Sequence, residues 1–143
     1  VCDGRVGLHD LCPTVLELAG CEPLAESDSR SFVELLGSPD RTGDEWSRGY
    51  AEYYGNRHRL TQKVVWDGKW KFVFNGFDFD ELYDLGNDPH EMRNLVNEPE
   101  HAARVREMMS EIWRVVREPG ARAIEETHYY SMRMACVGPN VDT

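Results

Sequence analysis

The stretch whose reading decides the fold is Glu81–Leu95, ELYDLGNDPHEMRNL. Asp88 suits a helix cap, because its carboxylate can accept the orphan N–H groups of a first turn. Pro89 suits the first helical position, where a missing N–H does no harm and φ is already set. Glu91 stands three residues after the cap, the spacing at which a glutamate reaches back and completes a capping box. The stretch is expected to be the end of a strand, a short turn, and one or two turns of helix.

Working outward, the residues just upstream read as sheet. GYAEYY (49–54) and LTQKVVW (60–66) have strand composition, and Asp67-Gly68 is a two-residue hairpin signal. WKFVF (70–74) puts Trp70, Phe72 and Phe74 on one face, with Lys69 and Lys71 on the other. Asn75-Gly76 is a second turn, feeding a strand through Phe79, Leu82 and Tyr83. Four strands with short turns imply an antiparallel sheet with one wet face. Downstream, Asn97 is expected to cap a long helix, with Glu100 closing its box and Pro119-Gly120 ending it. Ala102, Val105, Met109, Ile112 and Val116 form its stripe, which covers the apolar face of the sheet. Near the start, Leu8, Leu11, Cys12, Val15 and Ala19 fall at helical spacing, widened by Leu16 and Leu18. Asp10 is the expected cap of that short helix and Gly20 its end. It is apolar over much of its circumference, so it needs a partner on more than one side; alone, the chain would self-associate or carry a sticky patch. The fold class is α+β: a four-stranded antiparallel sheet packed against a long C-terminal helix, with a short N-terminal helix. Residues 21–48 read as a connecting loop region with a helical piece around Ser31–Leu36, and 121–143 as an irregular tail.

Bulk properties narrow the function. The 143 residues, 41% hydrophobic and 29% charged, suit one globular domain with a real core. Apolar runs are only a few residues long, too short for a membrane span or a signal peptide. A formal charge of −10 argues against a general nucleic-acid binder. Cys2, Cys12, Cys21 and Cys136 form no CxxC pair and no finger-like spacing with histidine. The chain starts at Val1 and runs at once into a helical pattern, which reads as a piece of something longer.

Common catalytic and metal patterns fail. A calcium loop starting at Asp78 would need glycine at its sixth position, where Tyr83 stands. His90-Glu91 begins a zinc-protease pattern, but Asn94 stands where the second histidine belongs. There is no nucleophile elbow, Walker loop or dinucleotide fingerprint. His9, His101 and His128 are scattered singly. One stretch departs from the acidic background: RHRLTQKVVWDGKWK (57–71) carries Arg57, Arg59, Lys63, Lys69 and Lys71 against Asp67 alone. Lys69 and Lys71 are expected on a solvated face. Arg57 and His58 precede a strand and are the candidate substrate-binding residues, since an arginine fork there could hold a sulfate or carboxylate; the bland alternative is a solvated loop.

ELYDLGNDPHEMRNL resembles the C-terminal subdomain of the sulfatase family, where a strand ending in ELYDL leads into DPxExxNL. HDLCPTVLELAG (9–20) resembles the segment in which that family's large N-terminal domain ends, and GKWKFVFN (68–75) its strand with a lysine-aromatic pair. The likeness runs in the family's order over roughly residues 6–117. It implies residues 1–20 as the end of an N-terminal catalytic domain, 21–48 as a connection and 49–120 as the C-terminal subdomain. It also implies a sulfuric ester hydrolase of the alkaline-phosphatase superfamily, acting on a sulfated small molecule or sugar; the acidic charge and the short apolar runs leave neither nucleic acid nor membrane as an expected partner. The alternatives are a related phosphonate or phosphodiester hydrolase, or a non-catalytic interaction module. The family's formylglycine, made from C/S-x-P-x-R, and its calcium ion belong to the N-terminal domain, the chain's expected partner. Cys21-Glu22-Pro23-Leu24-Ala25 matches the first part of that motif, but Ala25 stands where its arginine must be. The resemblance places no catalytic residue and no metal ligand on this chain, which is expected to be inactive alone.

Overall fold

The computed structural model describes residues 2, 4–25, 27–38, 43–54 and 61–117. The chain divides into two compact units, Val1–Gly49 and Tyr50–Thr143.

In the first unit a 3-10 turn, Leu8–Asp10, runs into α1, Leu11–Leu18, and α2 spans Val33–Gly37. Asp10 does not cap α1. Its own backbone is already helical, so its carboxylate points back and sideways instead: Oδ2 accepts the Gly7 N–H at 2.8 Å and Oδ1 the Arg30 N–H at 3.0 Å. The Thr14 hydroxyl donates to the Asp10 carbonyl at 2.6 Å and accepts the Phe32 N–H at 3.1 Å. Buried polar groups thus tie α1 to the stretch that reads as loop. That stretch closes on Trp46, which is only 2% exposed. The Arg30 guanidinium lies 3.8 Å over its ring, and its indole N–H donates to Glu34 at 2.8 Å. What α1 does not bury is its apolar surface. Leu11 is 48%, Val15 61% and Leu18 63% exposed, and Thr14 is the buried residue of the helix.

The second unit is a four-stranded antiparallel sheet under a helix. Strands β1 (Arg48–Tyr53), β2 (Gln62–Asp67), β3 (Trp70–Asn75) and β4 (Glu81–Asp84) lie in the order β1-β2-β3-β4. Pairing of β2 with β3 matches Val65 to Phe72 and Asp67 to Trp70, so the hairpin turns at Gly68-Lys69, one residue later than Asp67-Gly68. Gly68 takes φ +56°, the left-handed region open to glycine. Strand β4 pairs Leu82 with Phe72 and Tyr83 with Lys71; Phe79 lies before it and is 69% exposed.

Helix α3, Ala102–Val116, is entered through a 3-10 turn at Pro99–His101 rather than an Asn97 capping box. Proline at the first position of that turn lacks only an N–H that would have no helical partner. Val105, Met108 and Ile112 of α3 pack on Val65, Phe72, Phe74 and Leu82, with Met109 and Val116 partly buried beside them. Met108, read as outside the stripe, is 1% exposed. At the hairpin end, Trp70 meets the His101 ring at 5.4 Å, and Arg104 reaches Asp67 at 3.4 Å. The opposite face is not wet. Val73 is 4% and Tyr83 8% exposed there, and the Lys71 ammonium sits over the rings of Trp66 and Tyr83. The stop at Pro119-Gly120 and the tail 121–143 lie outside the described residues.

The exposed face of α1 has a measurable consequence. The isolated chain should bind a hydrophobic dye or self-associate, and Leu11→Ser with Val15→Ser should abolish this while leaving the denaturation midpoint nearly unchanged. A dye signal that survives both substitutions would place the sticky surface elsewhere.

Candidate functional site

The residues that follow β4 explain the opening stretch. An edge strand carries backbone groups that need partners. The Asn94 side chain supplies them: its Oδ1 accepts the Leu82 N–H at 3.0 Å and its Nδ2 donates to the Asp80 carbonyl at 3.0 Å. The Leu95 N–H then donates to the Leu82 carbonyl at 2.8 Å, and Leu95 packs on the core. Asn-Leu at the end of the run therefore stands in for a fifth strand.

Between β4 and Asn94 the chain makes turns, not the helix expected from Asp88-Pro89. Glu91 takes φ +55°, a left-handed conformation that ends any helical run and is uncommon for a residue with a Cβ. Its carboxylate does not return to Asp88 but reaches Lys71 Nζ at 2.6 Å. Asp88 does collect backbone donors, as a cap would. Oδ2 accepts the Arg93 N–H at 2.9 Å, and the N–H groups of Met92, Arg93 and His90 hold the carboxyl below the usual aspartate range. Asp84 serves the preceding turn, accepting from Gly86 and Asn87 and from Lys69 Nζ at 2.7 Å. Burial pushes its pKa up, but the donors Lys69 and Asn87 outweigh this and bring it below the ordinary value.

These engaged carboxylates do not fit the family's calcium ion. Among the described residues no group of three or more His, Cys, Asp or Glu side chains could hold a metal. Thr61 Oγ1 is buried without a hydrogen-bond partner among the described residues, and one hydroxyl is no calcium ligand set. Cys21 of the partial C-x-P match is an exposed thiol in the loop after α1.

Arg57 and His58 lie outside the described residues. On either side of them the structure brings together a polar cluster that the sequence reading missed. Lys63 pairs with Phe74 across the sheet, so it shares the helix-facing side with the core, and it is 3% exposed. Its ammonium lies 3.1 Å from Glu52 Oε2, 2.9 Å from the Tyr54 hydroxyl and 3.2 Å from that of Tyr50. Both phenols also donate to Glu52 Oε2, at 2.7 Å from Tyr54 and 2.8 Å from Tyr50. Burial, then the Glu52 carboxylate, pushes both phenols well above their usual range. Burial alone would raise Glu52, but the donors Tyr54, Tyr50 and Lys63 bring it below the ordinary value. The signal was available: Lys63 is two residues before the apolar Val65, hence on the same strand face.

Residues 3–118 match the family described as N-sulphoglucosamine sulphohydrolase, C-terminal. An uncharacterized protein of Haemophilus influenzae is 31% identical over 111 residues, covering 77% of this chain and 56% of that one. Arylsulfatase K of Xenopus laevis is 28% identical over 151 residues, covering 94% of this chain and 27% of its own length. The chain thus spans about half of the first relative and about a quarter of the second. Among solved structures, BT4656 in complex with its substrate D-glucosamine-2-N,6-O-disulfate superposes with a TM-score of 0.65 at 25% identity. It covers 75% of this chain and 23% of that one.

The Asp88 carboxylate sets a pH dependence. Its folded pKa lies below the unfolded value of about 3.9, so its contribution to stability is full above that pH and is lost as pH falls through the folded value. Asp88→Ala should therefore lower the denaturation midpoint at pH 6, with the gap to wild type closing as pH drops below about 4. A gap that is constant with pH would mean that the ionised carboxylate does not hold this turn.

Proposed function

Because the chain belongs to the sulfatase family, matching its C-terminal part over residues 3–118, we propose that the whole protein hydrolyses sulfate esters and that this chain forms the subdomain beside its active-site cleft. The family match carries the reading. Residues 1–20 end the catalytic domain, 21–48 connect, and 49–120 form the C-terminal subdomain. The exposed leucines of α1 supply apolar surface for packing on that catalytic domain. The formylglycine nucleophile and the calcium ion belong to the catalytic domain, and no chemical step runs through residues of this chain. Alone, it hydrolyses nothing.

Within this chain, Arg57 and His58 are the residues assigned to substrate. They stand in the one basic stretch of a strongly acidic chain. A sulfated sugar is an anion, which a guanidinium both attracts and orients through paired N–H donors. The two residues contact the leaving-group portion and set affinity, without touching sulfur. A related phosphonate hydrolase would need the same anion contact, so the choice between them rests on turnover.

In the full-length enzyme, Arg57→Ala should raise KM for D-glucosamine-2-N,6-O-disulfate by about tenfold, the worth of one charged hydrogen bond. The kcat on para-nitrophenyl sulfate should change little. Unchanged kinetics on both would return Arg57 to a solvated loop. Turnover of a phosphonate monoester with no turnover of either sulfate would replace the sulfatase reading.

A further inference from the structure

The sheet has two edges, and they are treated differently. Strand β4 is met by Asn94 and Leu95, whereas β1 has β2 on one side and no strand on the other. Among the described residues, no backbone–backbone hydrogen bond beyond strand pairing reaches residues 49–54. Arg48, Ala51, Glu52 and Tyr53 are exposed, and the strand holds no proline to blunt it. Such an edge is a template for another strand. We propose that β1 docks a second copy of this chain, the two strands pairing antiparallel about a two-fold axis through Tyr50.

Charge complementarity chooses both the occupant and the register. Around Tyr50 the strand reads Arg48-Gly49-Tyr50-Ala51-Glu52. Pairing with its own copy about that residue sets Arg48 opposite Glu52 of the second copy, and Glu52 opposite Arg48 of the second copy. Gly49 falls opposite Ala51, so small side chains meet on the other face. Moving the axis to Ala51 would set Arg48 opposite Tyr54 and Glu52 opposite Tyr50, and both ion pairs would be lost. Arg48 and Glu52 lie two residues either side of Tyr50, hence on its face of the sheet, the one that α3 covers. That helix packs on Val65, Phe72, Phe74 and Leu82 of β2, β3 and β4, so its packing is centred away from β1. The Glu52 carboxylate is already held for an incoming guanidinium. Tyr50, Tyr54 and Lys63 all donate to its Oε2 and none of the three to Oε1, while the side chain stays 34% exposed. One strand from each copy buries less than a standard interface, so the pair forms reversibly and at high concentration.

The test is sedimentation equilibrium of the full-length protein over a range of concentrations, with hydrogen exchange read at the β1 amides. The wild type should form a dimer that weakens as salt rises, and exchange in β1 should slow as concentration rises. Arg48→Glu sets like charges opposite each other at both ends of the strand pair and should weaken the dimer at least about tenfold. Arg48→Lys should keep most of the affinity. If Arg48→Glu folds poorly, exchange in the wild type still decides, since it needs no substitution. A dimer whose β1 amides exchange equally fast at every concentration, or one that a folded Arg48→Glu variant leaves intact, places the contact elsewhere and overturns the proposal. A monomer at every concentration overturns it too, and protected β1 amides in that monomer would mean that another part of the same chain covers the edge.

Discussion

The second unit depends on how one amide side chain closes the edge of a sheet. Strand β4 is four residues long and has β3 on one side only. Its outward N–H and C=O groups need partners, and Asn94 supplies both a donor and an acceptor from a single side chain. Leu95 follows directly, adding a backbone bond to Leu82 and an apolar side chain to the core. Everything between Asp84 and Asn94 serves to deliver that amide. Asp84 holds the first turn, Asp88 gathers the amides of the second, and Glu91 pins the strap to the sheet through Lys71. The acidic density that invites a metal reading is thus spent on backbone amides and lysines.

The same logic of partnered burial runs through both faces of the sheet. Lys71 keeps its charge half-buried because two aromatic rings and a carboxylate surround it. Lys63 does so more deeply, with three oxygen partners. In an acidic chain these lysines are neutralised by named neighbours and leave the solvated positive surface to other residues. Among the described residues, the carboxylates and lysines of the sheet are engaged with backbone amides and with one another.

Much of this was legible in the sequence. Alternation in WKFVF placed Phe72 and Phe74 in the core, and the 3.6-residue stripe found α3 with Val105 and Ile112. The reading failed where one residue type serves two geometries. Asp-Pro-x-Glu is a helix start by local rules, and an aspartate that collects amides looks the same in a turn. The positive φ of Glu91, whose carboxylate reaches Lys71, marks this one as a turn. Asp10 failed for a related reason, because its carboxylate serves Gly7 and also Arg30, which lies twenty residues further along the chain. Lys63 was counted among basic residues, although its parity with Val65 already put it on the core side. Of the candidate site, the strand ends are seen in the structure, while Arg57 and His58 are assigned from sequence.

The central claim is that the stretch Glu81–Leu95 closes the edge of the sheet through the Asn94 side chain. Hydrogen exchange at the Leu82 amide in Asn94→Ala tests it most directly. Exchange at Leu82 should quicken markedly while the Phe72 amide in the centre of the sheet keeps its protection. A Leu82 amide as protected in the variant as in the wild type would contradict the claim, because the edge would then be closed by something other than Asn94.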